Sequence, residues 1–200
     1  MAGANSFYVS ESDPPSKREI LRSALKLFAR HGVVGTNIRA IAAEAGYTNP
    51  ALFKYFDSKD ALALYLFERC YRQCHSVMKS ALVHQHSYRS KLRALVREFT
   101  EFVDSQPEAF FFVQENLREF WPKISESTRK HSMLGELRKL LQLGRNEGAI
   151  DDAVSIEIQL AATAGFFFQL ARMNHFGEIN PGIVARAGEI EAMIVKMHQR

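Results

Sequence analysis

The chain has 200 residues, of which 46% are hydrophobic and 24% are charged, with a formal net charge of +4. This composition is ordinary for a globular protein, and the length allows one large domain or two small ones. Two cysteines are too few for a disulfide framework. The N-terminus lacks the apolar core of a secretory signal, and no run of residues approaches the length of a membrane span. We therefore expect a soluble, cytoplasmic protein.

The positive charge is concentrated near the N-terminus. Residues 17–60 contain eight Lys or Arg and four Asp or Glu, so this segment carries the whole net charge of +4. A basic segment beside a neutral remainder favours an anionic partner that is bound by the first part of the chain. A solvated charged face would explain the same pattern equally well.

The predicted elements begin after residues 1–15, which are rich in Ser, Gly, Asp and Pro and indicate a flexible N-terminal arm. Ser16 and Glu19 have the spacing of a capping box at the start of the first helix. Gly32 is the expected end of that helix. Apolar residues recur along it at steps of three and four: Ile20, Leu21, Ala24, Leu27 and Phe28.

Two short helices and one long helix follow. Thr36 is the predicted N-cap of a helix that ends at Gly46, and Thr48 precedes a third helix that extends to about Phe56. A fourth helix is predicted from about Lys59 to the low 80s. It spans the shift in composition, so we expect it to join two domains.

Helical spacing continues to the C-terminus, and strand patterns are almost absent. The predicted helices are 87–105, 107–120, 124–147, 152–176 and 182–199, separated at proline and glycine positions. The fold class is therefore all-α. We assign residues 16–62 to an N-terminal domain of three helices and residues 63–200 to a larger helical domain.

The segment from about 37 to 56 contains the most informative pattern. Its two short helices flank a turn at Gly46, and Ala42 allows their axes to approach closely. Apolar residues supply a minimal core: Ile38, Ile41, Leu52 and Phe56. This is the layout of a helix-turn-helix, in which the second helix enters the major groove of DNA. Any compact pair of helices would show the same periodicity.

The same segment resembles the N-terminal domain of the TetR family of transcriptional regulators. The matching positions are Leu27-Phe28, Gly32, Thr36, Ile38, Ile41-Ala42, Ala45-Gly46, Thr48, Leu52-Phe53, Tyr55-Phe56, Lys59 and Leu62. The resemblance implies DNA binding by Thr36, Asn37, Thr48, Asn49, Pro50, Ala51, Lys54, Tyr55 and Lys59. Thr36 and Lys59 would bind phosphates, and the residues from Thr48 to Tyr55 would lie on the recognition helix.

The chemistry of these side chains suits base recognition. Asn49 can pair with adenine and Lys54 can reach guanine, while Pro50 or Ala51 can pack on a thymine methyl group. One position departs from the family pattern, because Phe53 stands where the family usually has Tyr. Phe53 cannot donate a hydrogen bond to phosphate, so we expect it to serve packing and Tyr55 to supply the hydroxyl. Asn37 likewise replaces a more usual Thr or Ser.

The resemblance also implies an effector pocket and a homodimer in the C-terminal domain. The predicted pocket residues are Phe111, Phe112, Trp121, Phe167 and Phe168, with His131, Gln114 or Arg118 orienting the polar end of the effector. The predicted dimer interface contains Gly165, Phe166, Ile183, Ala187, Ile190 and Ile194. The aromatic residues would serve equally well in an ordinary core, and the helix around Phe166 in the core of a monomer.

The remaining chemistry is sparse. Cys70 and Cys74 lie one helical turn apart near several histidines, but the pattern is more typical of buried free cysteine than of a metal or redox site. No nucleophile motif, phosphate loop or metal-ligand spacing predicts an enzyme, a cofactor or a bound metal.

The favoured function is a repressor of transcription that binds a palindromic double-stranded DNA operator as a homodimer and is released by a small, largely apolar effector. Two alternatives stay open. An all-α carrier of small molecules that has lost DNA binding would retain the helical fold. An architectural DNA binder without sequence preference would need more positive charge than +4.

Overall fold

The computed structural model describes residues 7–180 and 182–199. Within these ranges the chain is helical and has no strand, which confirms the predicted all-α class. Two single turns of 3₁₀ helix cover Trp121–Lys123 and Ile183–Arg186. The α-helices are α1 Pro15–Gly35, α2 Ile38–Ala45, α3 Asn49–Phe53, α4 Lys59–Val83, α5 Tyr88–Ser105, α6 Pro107–Phe120, α7 Glu126–Arg129, α8 Met133–Asn146, α9 Ile156–His175 and α10 Ala187–His198.

The chain divides into two compact units. Unit 1 extends to Gln73 and includes Glu108–Arg129, whereas unit 2 contains Cys74–Pro107 and the chain from Lys130 onward. The long helix α4 contributes residues to both units. No helix among the described residues combines the length and the apolar character that a membrane span requires.

Unit 1 is built around the apolar faces of α1, α2, α3 and the first half of α4. Its buried side chains include Ile20, Leu21, Ala24, Phe28, Ile41, Ala42, Leu52, Leu62 and Leu66. Helix α6 adds Phe112, whose ring stacks on Phe28 with 5.7 Å between the ring centroids. Burial of this apolar surface is the main stabilising contribution to the unit, and it fixes the orientation of α2 and α3.

Unit 2 packs α5 against α8, α9 and α10. Its core contains Leu92, Leu95, Val103, Leu137, Leu140, Leu141, Leu160, Ile183, Ile190 and Ile194. The rings of Phe99 and Phe167 meet edge to face at 4.6 Å between centroids and join α5 to α9.

The first helix begins differently from the prediction. The capping box of Ser16 and Glu19 is wrong, because α1 starts at Pro15 after Pro14 and no side chain caps it. Proline is well suited to the first turn because its φ is already helical and its missing N–H needs no partner. Gly32 does interrupt the helix, with φ 72° and ψ 163°, but one further turn continues to Gly35.

Residues 1–6 of the predicted N-terminal arm lie outside the described residues, and the part from residue 7 is held against unit 1. Tyr8 and Asp13 are buried. The Asp13 carboxylate accepts a hydrogen bond from Lys17 at 2.8 Å and lies 3.7 Å from Arg69. Burial alone would raise the pKa of Asp13, but hydrogen bonds from Lys17 and the Ser10 amide and the charges of Lys17 and Arg69 bring it below its ordinary value.

The predicted helix 124–147 is in fact two helices, α7 and α8. The side chain of Ser132 accepts a hydrogen bond from the Gly135 amide at 3.3 Å and starts α8 anew. Helix α9 also begins later than predicted, at Ile156, where Ser155 is its cap residue. The last predicted helix is divided between a 3₁₀ turn and α10.

Candidate nucleic-acid interface

Two short helices and the tight turn between them form the candidate interface. Helix α2 ends at Gly46, whose φ of 73° and ψ of 26° are left-handed values that glycine adopts without strain. The amide of Tyr47 donates to the Ala42 carbonyl at 2.9 Å and closes the turn. Helix α3 starts two residues later. The sequence therefore specifies the turn through its glycine.

Helix α3 is shorter than predicted, because it ends at Phe53 and not near Phe56. The amides of Tyr55 and Phe56 both donate to the Leu52 carbonyl, at 3.0 Å and 3.1 Å, so the chain turns away from the helix axis. Leu52 is completely buried and Phe56 is buried beside it. These two side chains fix α3 to the core of unit 1.

The outward face of α3 consists of Pro50, Phe53 and Lys54, all of them exposed. Asn49 and Ala51 are half-buried at the edges of this face. The expectation that Phe53 serves packing is wrong, since the side chain is 49% exposed. That expectation followed from the lack of a hydrogen-bond donor on Phe53, which does not indicate whether other residues cover the ring.

Tyr55 is half-buried, and its hydroxyl has a partner within unit 1. It forms a hydrogen bond of 2.7 Å with the Ser16 hydroxyl of α1. The Tyr55 hydroxyl, which was predicted to contact phosphate, thus joins α1 to the residues that follow α3.

Thr36 occupies a structural position. Its side chain is buried, and its hydroxyl donates to the Gly32 carbonyl at 2.8 Å. Its amide faces the Val33 carbonyl at 3.4 Å, and its own carbonyl accepts from the Lys59 ammonium at 2.9 Å. Because both donors of Thr36 have partners in the chain, the prediction that they hold a phosphate needs correction. Thr36 instead fixes the position of Lys59.

Asn37, and not Thr36 as predicted, is the N-cap of α2. Its side-chain oxygen accepts from the Ala40 amide at 2.8 Å. Thr48 is the residue before α3, but its side chain makes no capping hydrogen bond and is exposed. The two residues that precede α2 and α3 thus differ, because Asn37 caps its helix with a side-chain hydrogen bond and Thr48 does not.

Positive charge surrounds α2 and α3. Arg39 and Lys54 are exposed, and neither forms an ion pair among the described residues. Lys26 by contrast is paired with Glu44 at 2.5 Å, and the hydrogen bond and charge of this lysine lower the pKa of Glu44. The surface around α3 therefore offers uncompensated cations beside an apolar ring.

Comparison with known proteins identifies this domain. A sequence profile described as bacterial regulatory proteins, tetR family, matches residues 20–66, which contain α2 and α3. Over residues 20–66 the chain is therefore similar to the TetR family.

Two relatives illustrate the similarity. The chain is 29% identical over 98 residues to the HTH-type transcriptional activator FasR of Mycolicibacterium smegmatis, an alignment that covers 49% of this chain and 45% of FasR. It is 25% identical over 145 residues to the HTH-type transcriptional repressor NicS of Pseudomonas putida, which covers 70% of this chain and 68% of NicS. The alignment thus spans less than half of the first relative. Both relatives are transcriptional regulators and not enzymes.

A solved structure extends the likeness to the whole fold. The ketosteroid transcriptional regulator KstR2 of Mycobacterium tuberculosis superimposes with a TM-score of 0.81 over 96% of this chain and 99% of its own. Sequence identity is 15%, so this match shows the fold alone.

The predicted effector residues fall in both units. Phe111, Phe112 and Trp121 belong to unit 1, whereas Phe167 and Phe168 belong to unit 2. Phe112 is fully buried against Phe28, and Phe167 is buried against Phe99, so both side chains form part of the core. Phe111, Trp121 and Phe168 are half-buried.

The predicted dimer residues also divide into two groups. Ile183, Ile190 and Ile194 are at most 4% exposed in the single chain. They have no surface left for a second subunit, so their assignment to an interface is corrected to the core of unit 2. Gly165 is exposed on α9, and Phe166 and Ala187 are half-buried.

Both cysteines are buried, and neither forms a disulfide. Burial raises the pKa of Cys74 to about 12, which keeps its thiol protonated and unreactive. The described residues contain no cluster of three or more His, Cys, Asp or Glu arranged to bind a metal.

Proposed function

We propose that this chain is a sequence-specific, DNA-binding regulator of transcription of the TetR family that inserts α3 into the major groove. The outward face of α3 carries the proposal, because Pro50, Phe53 and Lys54 are exposed while Leu52 holds the helix to the core. A short helix with buried and exposed faces of this kind suits a groove about 12 Å wide.

The proposed contacts divide by chemistry. Lys59 would bind a phosphate, since its bond to the Thr36 carbonyl uses one of the three ammonium protons. Thr48 and the first turn of α2 at Asn37 would also meet the backbone. Asn49, Pro50, Ala51 and Lys54 would face base edges, with Lys54 directed to guanine and Asn49 to adenine.

A homodimer would bind an operator with two inverted half-sites. Helix α9 supports this proposal, because exposed residues recur on it at steps of four and three: Ile158, Ala162, Gly165, Gln169, Arg172 and Phe176. The small residues at the centre allow a second helix to approach closely. Met193 on α10 and Val184 just before it are further exposed apolar residues of unit 2. We place the partner subunit on this surface of α9 and α10.

The proposed regulation is release from DNA by a small, largely apolar effector, which makes the protein a repressor, as NicS is named. The half-buried aromatic residues Phe111 and Trp121 of unit 1 favour an apolar ligand. Helix α4 belongs to both units and is the proposed route by which an effector alters the position of α3. Release requires that the effector bind more tightly to the form that does not fit the operator.

Selection of duplexes from a random DNA pool tests the proposal. We expect enrichment of an inverted repeat whose half-sites lie about one helical turn apart. A screen of apolar ligands should then find compounds that dissociate the complex. Recovery of duplexes with no shared sequence would contradict the proposal.

A further inference from the structure

Phe53 is an aromatic side chain placed where a soluble domain would ordinarily carry a polar one. It is the last residue of α3, it is 49% exposed, and its ring has no hydrogen-bond donor or acceptor. Pro50 precedes it by three residues, which puts both side chains on one face of the helix. The two residues form a small apolar surface bordered by Lys54.

The neighbouring charges restrict what this surface can meet. Lys54 adjoins the apolar pair, and Arg39 and Lys54 have no ion-pair partner among the described residues. A complementary partner therefore carries negative charge opposite Arg39 and Lys54 and an apolar group opposite Phe53. In the major groove, the edges of bases present polar atoms except at the 5-methyl group of thymine and at the smaller C5–H of cytosine, so the methyl group is the largest apolar feature there.

Contact with any other base edge would be unfavourable. A phenyl ring pressed on the oxygen or nitrogen atoms of guanine, or on the amino group of cytosine, would remove water from those atoms and return no hydrogen bond. Contact with the thymine methyl group buries apolar surface on both sides. Phe53 is thus suited to discriminate between bases, although it cannot donate a hydrogen bond.

We infer that Phe53 recognises a thymine in each half-site through the 5-methyl group of that base. The inference rests on the proposed DNA-binding function and adds a specificity-determining residue to it. It requires that one thymine, on either strand, occur at a fixed position in every half-site that the protein selects.

Replacement of thymine by deoxyuridine tests this directly, because it removes only the methyl group. Each thymine of the selected operator is replaced in turn, and the affinity is measured by fluorescence anisotropy. We expect one position per half-site at which the wild-type protein binds about fourfold more weakly, the effect of one lost methyl contact. Phe53→Ala should bind the thymine and uracil duplexes equally well at that position.

Two matched variants sharpen the result. Phe53→Tyr retains the ring and should retain the uracil effect. Pro50→Ala removes the neighbouring apolar side chain and should also retain it. The inference is overturned if Phe53→Ala keeps the uracil effect while Pro50→Ala loses it, because the methyl group would then contact Pro50.

The inference is equally overturned if uracil has no effect at any position and Phe53→Ala weakens binding to all duplexes alike, because the ring would then pack on a sugar. Both of these outcomes leave the proposed regulator function intact. Failure of the wild-type protein to prefer any duplex over random DNA would instead overturn the proposed function, and this inference with it.

Discussion

At the scale of single residues, a buried hydrogen bond between Thr163 and His198 joins α9 to α10. The Thr163 hydroxyl lies 2.8 Å from the Gln159 carbonyl and 2.7 Å from Nε2 of His198. A hydroxyl has one proton and a carbonyl only accepts, so both bonds form when Thr163 donates to Gln159 and His198 donates from Nε2. The other ring nitrogen, Nδ1, is buried and has no hydrogen-bond partner within residues 7–180 and 182–199. Protonation of Nδ1 would place a charge there that nothing compensates.

This arrangement predicts that mildly acidic pH destabilises the protein. Burial of the ring, assisted by the charge of Arg145, lowers the pKa of His198 below its ordinary value. The unfolded chain therefore takes up a proton near pH 6.5 that the folded chain resists, and the free energy of unfolding falls as the pH drops below that value. Urea denaturation at pH 8 and pH 5.5 measures the loss. In His198→Gln the loss should be smaller.

Some loss should remain in that variant, since burial also lowers the pKa of His75. An unchanged pH dependence in His198→Gln would contradict the assignment to His198.

At the scale of elements, the two residues that precede α2 and α3 provide a matched comparison. The side chain of Asn37 caps the Ala40 amide, whereas that of Thr48 makes no capping bond. Asn37→Ala should therefore lower the free energy of unfolding by about 1 kcal/mol, and Thr48→Ala should change it by only a few tenths. Thermal denaturation followed by circular dichroism measures both. Equal losses in the two variants would show that the caps are not distinguished in this way.

The elements also show what the sequence can predict. The helix-turn-helix was predictable because Gly46 and the apolar positions of α2 and α3 are local signals. The predicted start of α1 was wrong because the helix begins at Pro15, one residue before Ser16, and has no side-chain cap. The break between α7 and α8 was missed because a serine within a helical pattern is a common residue as well as a cap.

Neither the exposure of Phe53 nor the burial of Ile190 could be predicted from the sequence, and the reason is the same for both residues. Spacing at three and four residues identifies an apolar face, but it does not state what covers that face. Residues of the same chain bury Ile190 and Ile194 of α10, so these two side chains belong to the core of unit 2 and not to the predicted dimer interface. At Phe53 the described part of the chain leaves 49% of the side chain exposed. Only the tertiary arrangement distinguishes these cases.

At the scale of the whole molecule, the proposed homodimer depends on the exposed surface of α9. Apart from its chain neighbours and the backbone of its own helix, no atom of the described residues lies within 4 Å of the position that a Cβ of residue 165 would occupy, so a larger side chain fits in the single chain. Gly165→Glu should therefore fold normally, but its charge would be buried in the proposed interface and should dissociate the dimer. Sedimentation velocity at micromolar concentration measures the change. Ala153→Glu, at an exposed site in the loop before α9, is the control and should stay dimeric.

A Gly165→Glu protein that sediments at twice the mass of one chain would place the partner subunit elsewhere.

Recognition of a defined DNA sequence by the outward face of α3 is the central claim, and the ratio of affinities for a selected operator and a scrambled duplex tests it most directly. At one fixed salt concentration, the wild-type protein should prefer the operator by at least about a thousandfold. Lys54→Ala should reduce this preference by roughly tenfold to a hundredfold without loss of thermal stability, because Lys54 is exposed. Lys196→Ala, an exposed lysine of α10, should leave it unchanged. A ratio near one for the wild-type protein, or equal ratios for the wild-type protein and Lys54→Ala, would contradict the account.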